Sequence, residues 1–202
     1  MPAQPGAAIR SRSETGATVV ELLVVAAVVA AVAAMSAPLS ATVVDAGRIR
    51  QAAAFVSSRL RLARVESASR GAHVGVVFDL TNGRWHVRTC RDGTRNGLRR
   101  AEIASGSDPC FDGPHDFTAM FPSVAIEVDP SLVGPAGEPP SPDPVRFGSA
   151  DLASFAPTGS CTAGSLYLRS ARGQQYAVRV AGANGRLRVF RYDTRPGVWV
   201  QP

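Results

Sequence analysis

The side chains that most often carry out catalysis are few in this sequence and lie far apart. The three histidines are His73, His86 and His115, and two of them fall in segments with a strand pattern. Ser160 stands beside Cys161, but the strand–turn–helix context that exposes a nucleophilic serine does not surround it. The sequence therefore predicts no catalytic residues, and it indicates a protein that is not an enzyme.

Acidic residues cluster around one of the histidines. Asp108, Asp112 and Asp116 surround His115, yet their spacing matches no calcium-binding loop. A solvated acidic turn explains this cluster better than a metal site. We therefore expect no metal and no cofactor.

The chain has three cysteines, Cys90, Cys110 and Cys161, and none of them forms a C-x-x-C pair. That spacing argues against a zinc site and against a redox motif. In an oxidising compartment we expect one disulfide and one free thiol. Three pairings are open, and we favour Cys90 with Cys110 because that bond would close the loop between them.

All basic residues of the chain are arginines. There are 22 of them against 16 acidic residues, which gives a formal net charge of +6 over 202 residues. Such a balance permits contact with nucleic acid or with anionic surfaces, but it is equally compatible with a solvated basic surface. The length fits one domain preceded by an anchor.

The N-terminal part contains a long uncharged segment, residues 22–44. At about 1.5 Å per residue a helix of this length spans roughly 34 Å, enough for a hydrocarbon core of about 30 Å. Arg10 and Arg12 precede the segment and Asp45 follows it. The positive-inside rule therefore predicts a cytoplasmic N-terminus and places the rest of the chain across the membrane.

A cleaved secretory signal is the alternative, since small residues at 33–37 could mark its cleavage site. The apolar segment is longer than the core of such a signal. In addition, Glu21 lies at its start, and a carboxylate within a membrane segment is costly and tends to have a function.

The segment after Asp45 continues with helical periodicity to about Arg70, and Gly71 is a plausible stop. Apolar residues recur in steps of three and four, so we expect one buried helix face. That face consists of Ile49, Ala53, Val56, Leu60 and Ala63.

Strand patterns dominate the remainder of the chain. Residues 73–78 and 85–88 form a predicted hairpin around the turn pair Asn82 and Gly83. We interpret residues 91–119 as a loop. A short strand is predicted at 124–128, and residues 129–144, with six prolines and two glycines, form a long loop outside any sheet interior. A meander follows over residues 165–169, 175–180 and 186–192.

The order of residues 16–24, GATVVELLV, resembles the class III signal of type IV prepilins. The resemblance implies cleavage by a prepilin peptidase between Gly16 and Ala17, with N-methylation of Ala17. It also implies that Glu21 meets the N-terminal amine of a neighbouring subunit during assembly. Pro38 stands where pilins commonly carry a helix-kinking proline.

Three further segments resemble the GspH/FimT group of pseudopilins and minor pilins. They are residues 59–71 (RLRLARVESASRG), 155–159 (FAPTG) and 184–188 (NGRLR). The resemblance implies a pilin-like α+β fold, in which a long N-terminal helix, transmembrane in its first half, packs on small antiparallel sheets. It divides the chain into three regions, a leader (1–16), a transmembrane and assembly helix (17–44) and a periplasmic domain (45–202).

The same resemblance implies a single-pass protein of the inner membrane. Its partners would be other pilin or pseudopilin subunits, the prepilin peptidase and an inner-membrane assembly platform. The first functional hypothesis is a structural minor pseudopilin of the type II secretion system.

The alternative is a minor type IV pilin that binds DNA for uptake through a Gly-Arg-x-Arg segment. Its DNA-binding residues would be Arg186, Arg188 and Arg191. If the segment is a strand, Arg186 and Arg188 share a face with Phe190, and arginines beside aromatic rings suit phosphates and bases. A solvated sheet edge accounts for the same residues.

Overall fold

The computed structural model describes residues 18–182 and 184–202, except for the side chains of residues 34–40. Contacts divide the chain into two compact units, Met1–Ala41 and Thr42–Pro202. The helices of the described residues are α1 (Val19–Arg70), α2 (Arg100–Ser105) and α3 (Phe117–Met120). Among these residues, no helix combines the length and the apolar character needed to cross a membrane.

The strands all lie in the second unit. In chain order they are β1 (Val74–Thr81), β2 (Arg84–Arg91), β3 (Cys110–Asp116), β4 (Val124–Ala125), β5 (Val145–Arg146), β6 (Leu152–Phe155), β7 (Gly164–Ser170), β8 (Gln175–Ala181), β9 (Arg186–Asp193) and β10 (Val198–Val200). A four-stranded sheet has the order β3-β2-β1-β6. A six-stranded sheet has the order β10-β9-β8-β7-β4, with β5 also paired to β7. The strand pairs are antiparallel. The fold is therefore α+β, as predicted.

The predicted helix face forms the centre of the core. Its five residues are between 0% and 1% exposed, and they pack with apolar side chains from both sheets. The helix ends at Arg70, and Gly71 follows with φ 62°, a left-handed conformation that glycine adopts at little cost. Among the described residues, the apolar clusters begin at Ile49, so the unit Thr42–Pro202 contains its own core.

The predicted hairpin is confirmed, with Thr81 opposite Arg84 at its end. Asn82 and Gly83 have φ values of 53° and 74°, as a two-residue type I′ turn requires. The C-terminal meander is also confirmed as β7, β8 and β9.

The interpretation of residues 91–119 as a loop was wrong, because α2, β3 and the start of α3 lie there. Strand β3 has the sequence CFDGPHD, which contains a glycine, a proline and no apolar alternation. It pairs along one side of β2 with two register shifts, so its strand conformation depends on its partner. The predicted strand at 124–128 is shorter, only Val124–Ala125, and β5, β6 and β10 were not predicted.

Candidate functional site

The predicted processing residues Gly16 and Ala17 lie outside the described residues. Glu21 lies in the first turn of α1, where its backbone N–H donates to Thr18 Oγ1 at 3.3 Å. The side chains of residues 19–33 are exposed in this chain. Pro38 lies within α1, but its side chain is outside the described part, so the kink stays a prediction.

The arginines of β9 lie on two faces of the six-stranded sheet. Leu187 and Val189 pack against the main core, on the side of α1. We call the opposite side the outer face, and it carries Phe190 in a small apolar cluster with Val128, Tyr167 and Ala177. Because side chains alternate along a strand, Arg186 and Arg188 share the outer face with Phe190, as predicted.

A third arginine, Arg179, joins this pair through the register of β8 and β9, which sets Arg179 directly opposite Arg188. Its guanidinium forms an ion pair with Glu138 and donates to Ser165 Oγ at 3.2 Å. Burial lowers the pKa of Arg179 from its usual value. Arg186 and Arg188, by contrast, are exposed. Sequence reasoning missed Arg179, because only the register between the two strands reveals it.

The proline-rich loop, residues 129–144, borders the outer face. Arg146 holds it by donating to the carbonyl oxygens of Ser141 at 2.8 Å and Asp143 at 2.9 Å. Trp199 Nε1 donates to the carbonyl of Val133 at 2.8 Å. The loop and β9 together line an open cleft, formed by Pro135, Ala136, Arg179, Arg186, Arg188 and Phe190 among others. The cleft offers cationic groups beside one aromatic ring.

Arg191 does not belong to this surface, although it was named with Arg186 and Arg188 as a DNA-binding residue, and that role stays a prediction. It lies opposite Tyr176, a core residue on the α1 side of the sheet. There it lines a second cleft with Arg50 and Arg172. The strand period of two explains the separation. Four residues lie between Arg186 and Arg191 and two lie between Arg188 and Arg191, and an even number places two side chains on opposite faces.

Cys90 and Cys110 form a disulfide in the structure, and Cys161 is a free thiol. Burial raises the pKa of the Cys161 thiol above its usual range, although Arg64 and the backbone of Gly185 oppose the shift. In the described part of the chain, no group of three or more metal-ligating side chains could hold a metal ion.

The acidic residues near His115 are not a solvated turn, contrary to the expectation. Asp108 is buried and accepts hydrogen bonds from the N–H groups of Gly93 and Arg99, both at 3.0 Å. Asp112 forms an ion pair with Arg59 and a 2.9 Å hydrogen bond with His115. Burial raises the pKa of Asp112, but the hydrogen bonds with His115 and Thr89 and the charge of Arg59 together outweigh this effect, so the net shift is downward.

Asp116 has a similar structural role at the start of α3, where its side chain accepts from the N–H of Ala119 at 3.0 Å. These carboxylates hold loops and helix α1 in place.

No family model, curated protein or solved structure matches the chain.

Proposed function

We propose that this protein is a minor pseudopilin, a structural subunit of a filament assembled at the inner membrane for type II protein secretion. The order Gly16, Ala17 and Glu21 ahead of an uncharged segment is the observation that carries the proposal. Two further features support it. They are the exposed apolar side chains of residues 19–33, and an α+β unit whose helix packs on antiparallel sheets.

The chemistry of Glu21 fits a role in assembly. A carboxylate in lipid without a partner is strongly penalised, whereas an ammonium group beside it relieves most of that penalty. In the proposed filament, the methylated amine of Ala17 from a neighbouring subunit supplies that group. In this proposal the segment 17–44, which includes Ala17 and residues 34–40 whose side chains lie outside the described part, crosses the inner membrane once, and the unit after it lies in the periplasm.

Processing provides the first test. We expect co-expression with a prepilin peptidase to remove 16 residues, so that the mature chain begins at Ala17. Mass spectrometry of the N-terminal peptide measures both the cut and a methyl group on the new amine. Replacing Gly16 with leucine should block the cut, while the matched change of Gly6 in the same leader should leave it intact. A mature chain that starts elsewhere would overturn the proposal.

Assembly provides the second test. A Glu21→Ala protein should be cleaved and folded but should be lost from sheared filaments, measured by immunoblotting against the other subunits. Glu66 is a carboxylate on the same helix α1, and Glu66→Ala is the matched control. Normal incorporation of the Glu21 variant would rule out the proposed role of this carboxylate.

A second candidate function is DNA binding by a minor type IV pilin. The observation that favours it is the convergence of Arg179, Arg186 and Arg188 beside Phe190 on the outer face. Guanidinium groups neutralise phosphates, and an aromatic ring offers a stacking surface for bases. Glu138 competes for one of the three arginines, because it pairs with Arg179.

Titration with short double-stranded DNA at several salt concentrations separates the two candidates. For a DNA-binding pilin we expect salt-sensitive binding that Arg186→Gln/Arg188→Gln loses, because each phosphate contact releases counterions. Arg61→Gln/Arg95→Gln removes the same charge from two exposed sites elsewhere and serves as the control. No binding at low salt, or equal loss in the control, would leave the secretion subunit as the remaining candidate.

A further inference from the structure

A second cluster of arginines lies beside the first turns of α1 within the unit Thr42–Pro202. Arg50, Arg172 and Arg191 line one cleft there, together with Tyr176 and Tyr192. The three arginines come from α1, from the turn between β7 and β8, and from β9. They are therefore far apart in the sequence and are brought together only by the packing of the helix on the sheet.

The cleft is held in place by a buried hydrogen bond between the helix and the sheet. Ser170 Oγ donates to Asp45 Oδ2 at 2.6 Å, and both residues are buried. Ser170 Oγ also accepts from the backbone N–H groups of Arg172 at 3.3 Å and Gln174 at 3.2 Å. The turn that carries Arg172 is thus fixed against the first residues of α1 in this unit.

The charge of the cleft is largely uncompensated. Arg50, Arg172 and Arg191 are exposed, and none of them pairs with a carboxylate among the residues that the structure describes. Asp193 also lines the cleft and sets one negative charge against the three arginines, and its Oδ1 accepts from the N–H of Arg195 at 3.1 Å. The arrangement suits an anion that accepts several hydrogen bonds, such as a phosphate.

We propose that this cleft binds the phosphate of an anionic phospholipid headgroup. The position in the chain favours a lipid, because Ala46 and Arg50 of the cleft follow within a few residues of the uncharged segment 22–44. Arginine near a bilayer surface is attracted to anionic lipids, and tyrosine is enriched at the membrane interface. The membrane setting rests on the proposed function, whereas the binding chemistry rests on the cleft alone.

Titration of the full chain, purified in a neutral detergent, with short-chain phosphatidylglycerol tests the proposal. Short-chain phosphatidylcholine is the reference, because it has equivalent acyl chains but no net charge. We expect the anionic lipid to bind at least tenfold more tightly by native mass spectrometry. Each arginine near an anionic headgroup raises the affinity for the lipid about fivefold. We therefore expect Arg50→Gln/Arg172→Gln/Arg191→Gln to abolish this preference.

The matched control, Arg61→Gln/Arg91→Gln/Arg95→Gln, removes the same charge from exposed arginines outside the cleft and should keep the preference. Thermal melting checks that each variant is folded. Should the triple variant fail to fold, Arg172→Gln alone, in an exposed turn, should lower the preference about fivefold.

Three outcomes would overturn the proposal. They are equal binding of the two lipids, an equal loss in the control variant, and full displacement of the lipid by an equal concentration of inorganic phosphate, which indicates a free-anion site. Tighter binding of a short DNA duplex, lost in the same triple variant, would assign the cleft to nucleic acid instead. N-terminal sequencing of the mature chain tests the proposed processing without reference to lipid binding. A failure of the proposed function can therefore be distinguished from a failure of the lipid site.

Discussion

Asp92 shows how single carboxylates stabilise the irregular parts of this protein. Its side chain is buried and accepts from the backbone N–H groups of Thr94 at 2.9 Å, Arg95 at 2.6 Å and Gly97 at 2.7 Å. Burial raises the pKa of Asp92, but these N–H donors together lower it below its usual value of 3.8. The loop before α2 therefore depends on an ionised side chain.

A carboxyl group whose pKa is lower in the folded state stabilises the fold above the unfolded-state value of 3.8. That stabilisation is lost as the pH falls through the folded-state pKa. We expect Asp92→Asn to lower the free energy of unfolding at pH 7 by about 1–3 kcal/mol and to weaken its decline toward pH 3. Urea unfolding at both pH values measures the effect.

Glu127→Gln is the control for this experiment, because Glu127 is 53% exposed and has only a surface ion pair with Arg169. We expect its effect to stay below about 1 kcal/mol. Identical pH profiles for the Asp92 variant and the unaltered protein would contradict the assigned role of this carboxylate.

At the scale of elements, helix α1 presents two different faces within the unit Thr42–Pro202. Leu60 is fully buried against the sheets, whereas Leu62 is 43% exposed. We expect Leu60→Ala to lower the free energy of unfolding by about 2–5 kcal/mol, because it leaves a cavity in the core. Leu62→Ala should cost less than about 1 kcal/mol. Equal losses in urea unfolding would contradict the observed orientation of α1.

Strand β3 is a second case in which an element depends on its neighbours. Cys110 at its start is joined to Cys90 of β2, 20 residues earlier in the chain. Closing a loop of this size contributes about 3 kcal/mol to the free energy of unfolding. We therefore expect Cys90→Ala/Cys110→Ala, or a reducing agent, to lower the urea midpoint strongly.

Cys161→Ala provides the control for the disulfide, since Cys161 is a free thiol and its loss removes no cross-link. Without reducing agent, the midpoint of this variant should match that of the unaltered protein, and it should fall in reducing agent as the midpoint of the unaltered protein does. An unaltered protein whose midpoint does not change on reduction would show that the bond contributes nothing to stability.

At the scale of the whole molecule, the apolar clusters formed by the described residues lie within the unit Thr42–Pro202. We expect a protein of residues 42–202 to unfold in urea with the same free energy as the full chain, to within about 1 kcal/mol. A protein that starts at residue 61 lacks Ile49, Val56 and Leu60 and should not fold. A clearly less stable 42–202 protein would show that the first unit contributes to the fold.

Six arginines of the second unit form two clusters that line different clefts. One contains Arg179, Arg186 and Arg188 beside the proline-rich loop, and the other contains Arg50 and Arg172 with Arg191. The clusters share no residue, so changes in one should leave ligand binding at the other unaffected. This separation allows the DNA and lipid hypotheses to be tested in one protein.

Local patterns in the sequence were sufficient to predict several elements of the structure. The buried face of α1, the stop at Gly71 and the turn at Asn82 and Gly83 each depend on residues within a few positions of one another. Periodicity and turn chemistry act over such short distances, so one sequence predicts them. The processing signal around Gly16 is also local, and it remains a prediction because it lies outside the described residues.

Features that depend on pairing between distant segments are visible only in the tertiary structure. Strand β3 has no strand pattern of its own and forms beside β2. Arg179 meets Arg188 through the register of β8 and β9, whereas Arg191 meets Arg50 through the packing of α1. Alternation along β9 assigns each arginine to a face, but the partners on that face come from segments far away in the chain. The composition of each arginine cluster therefore follows from strand register and helix packing, which local sequence patterns do not encode.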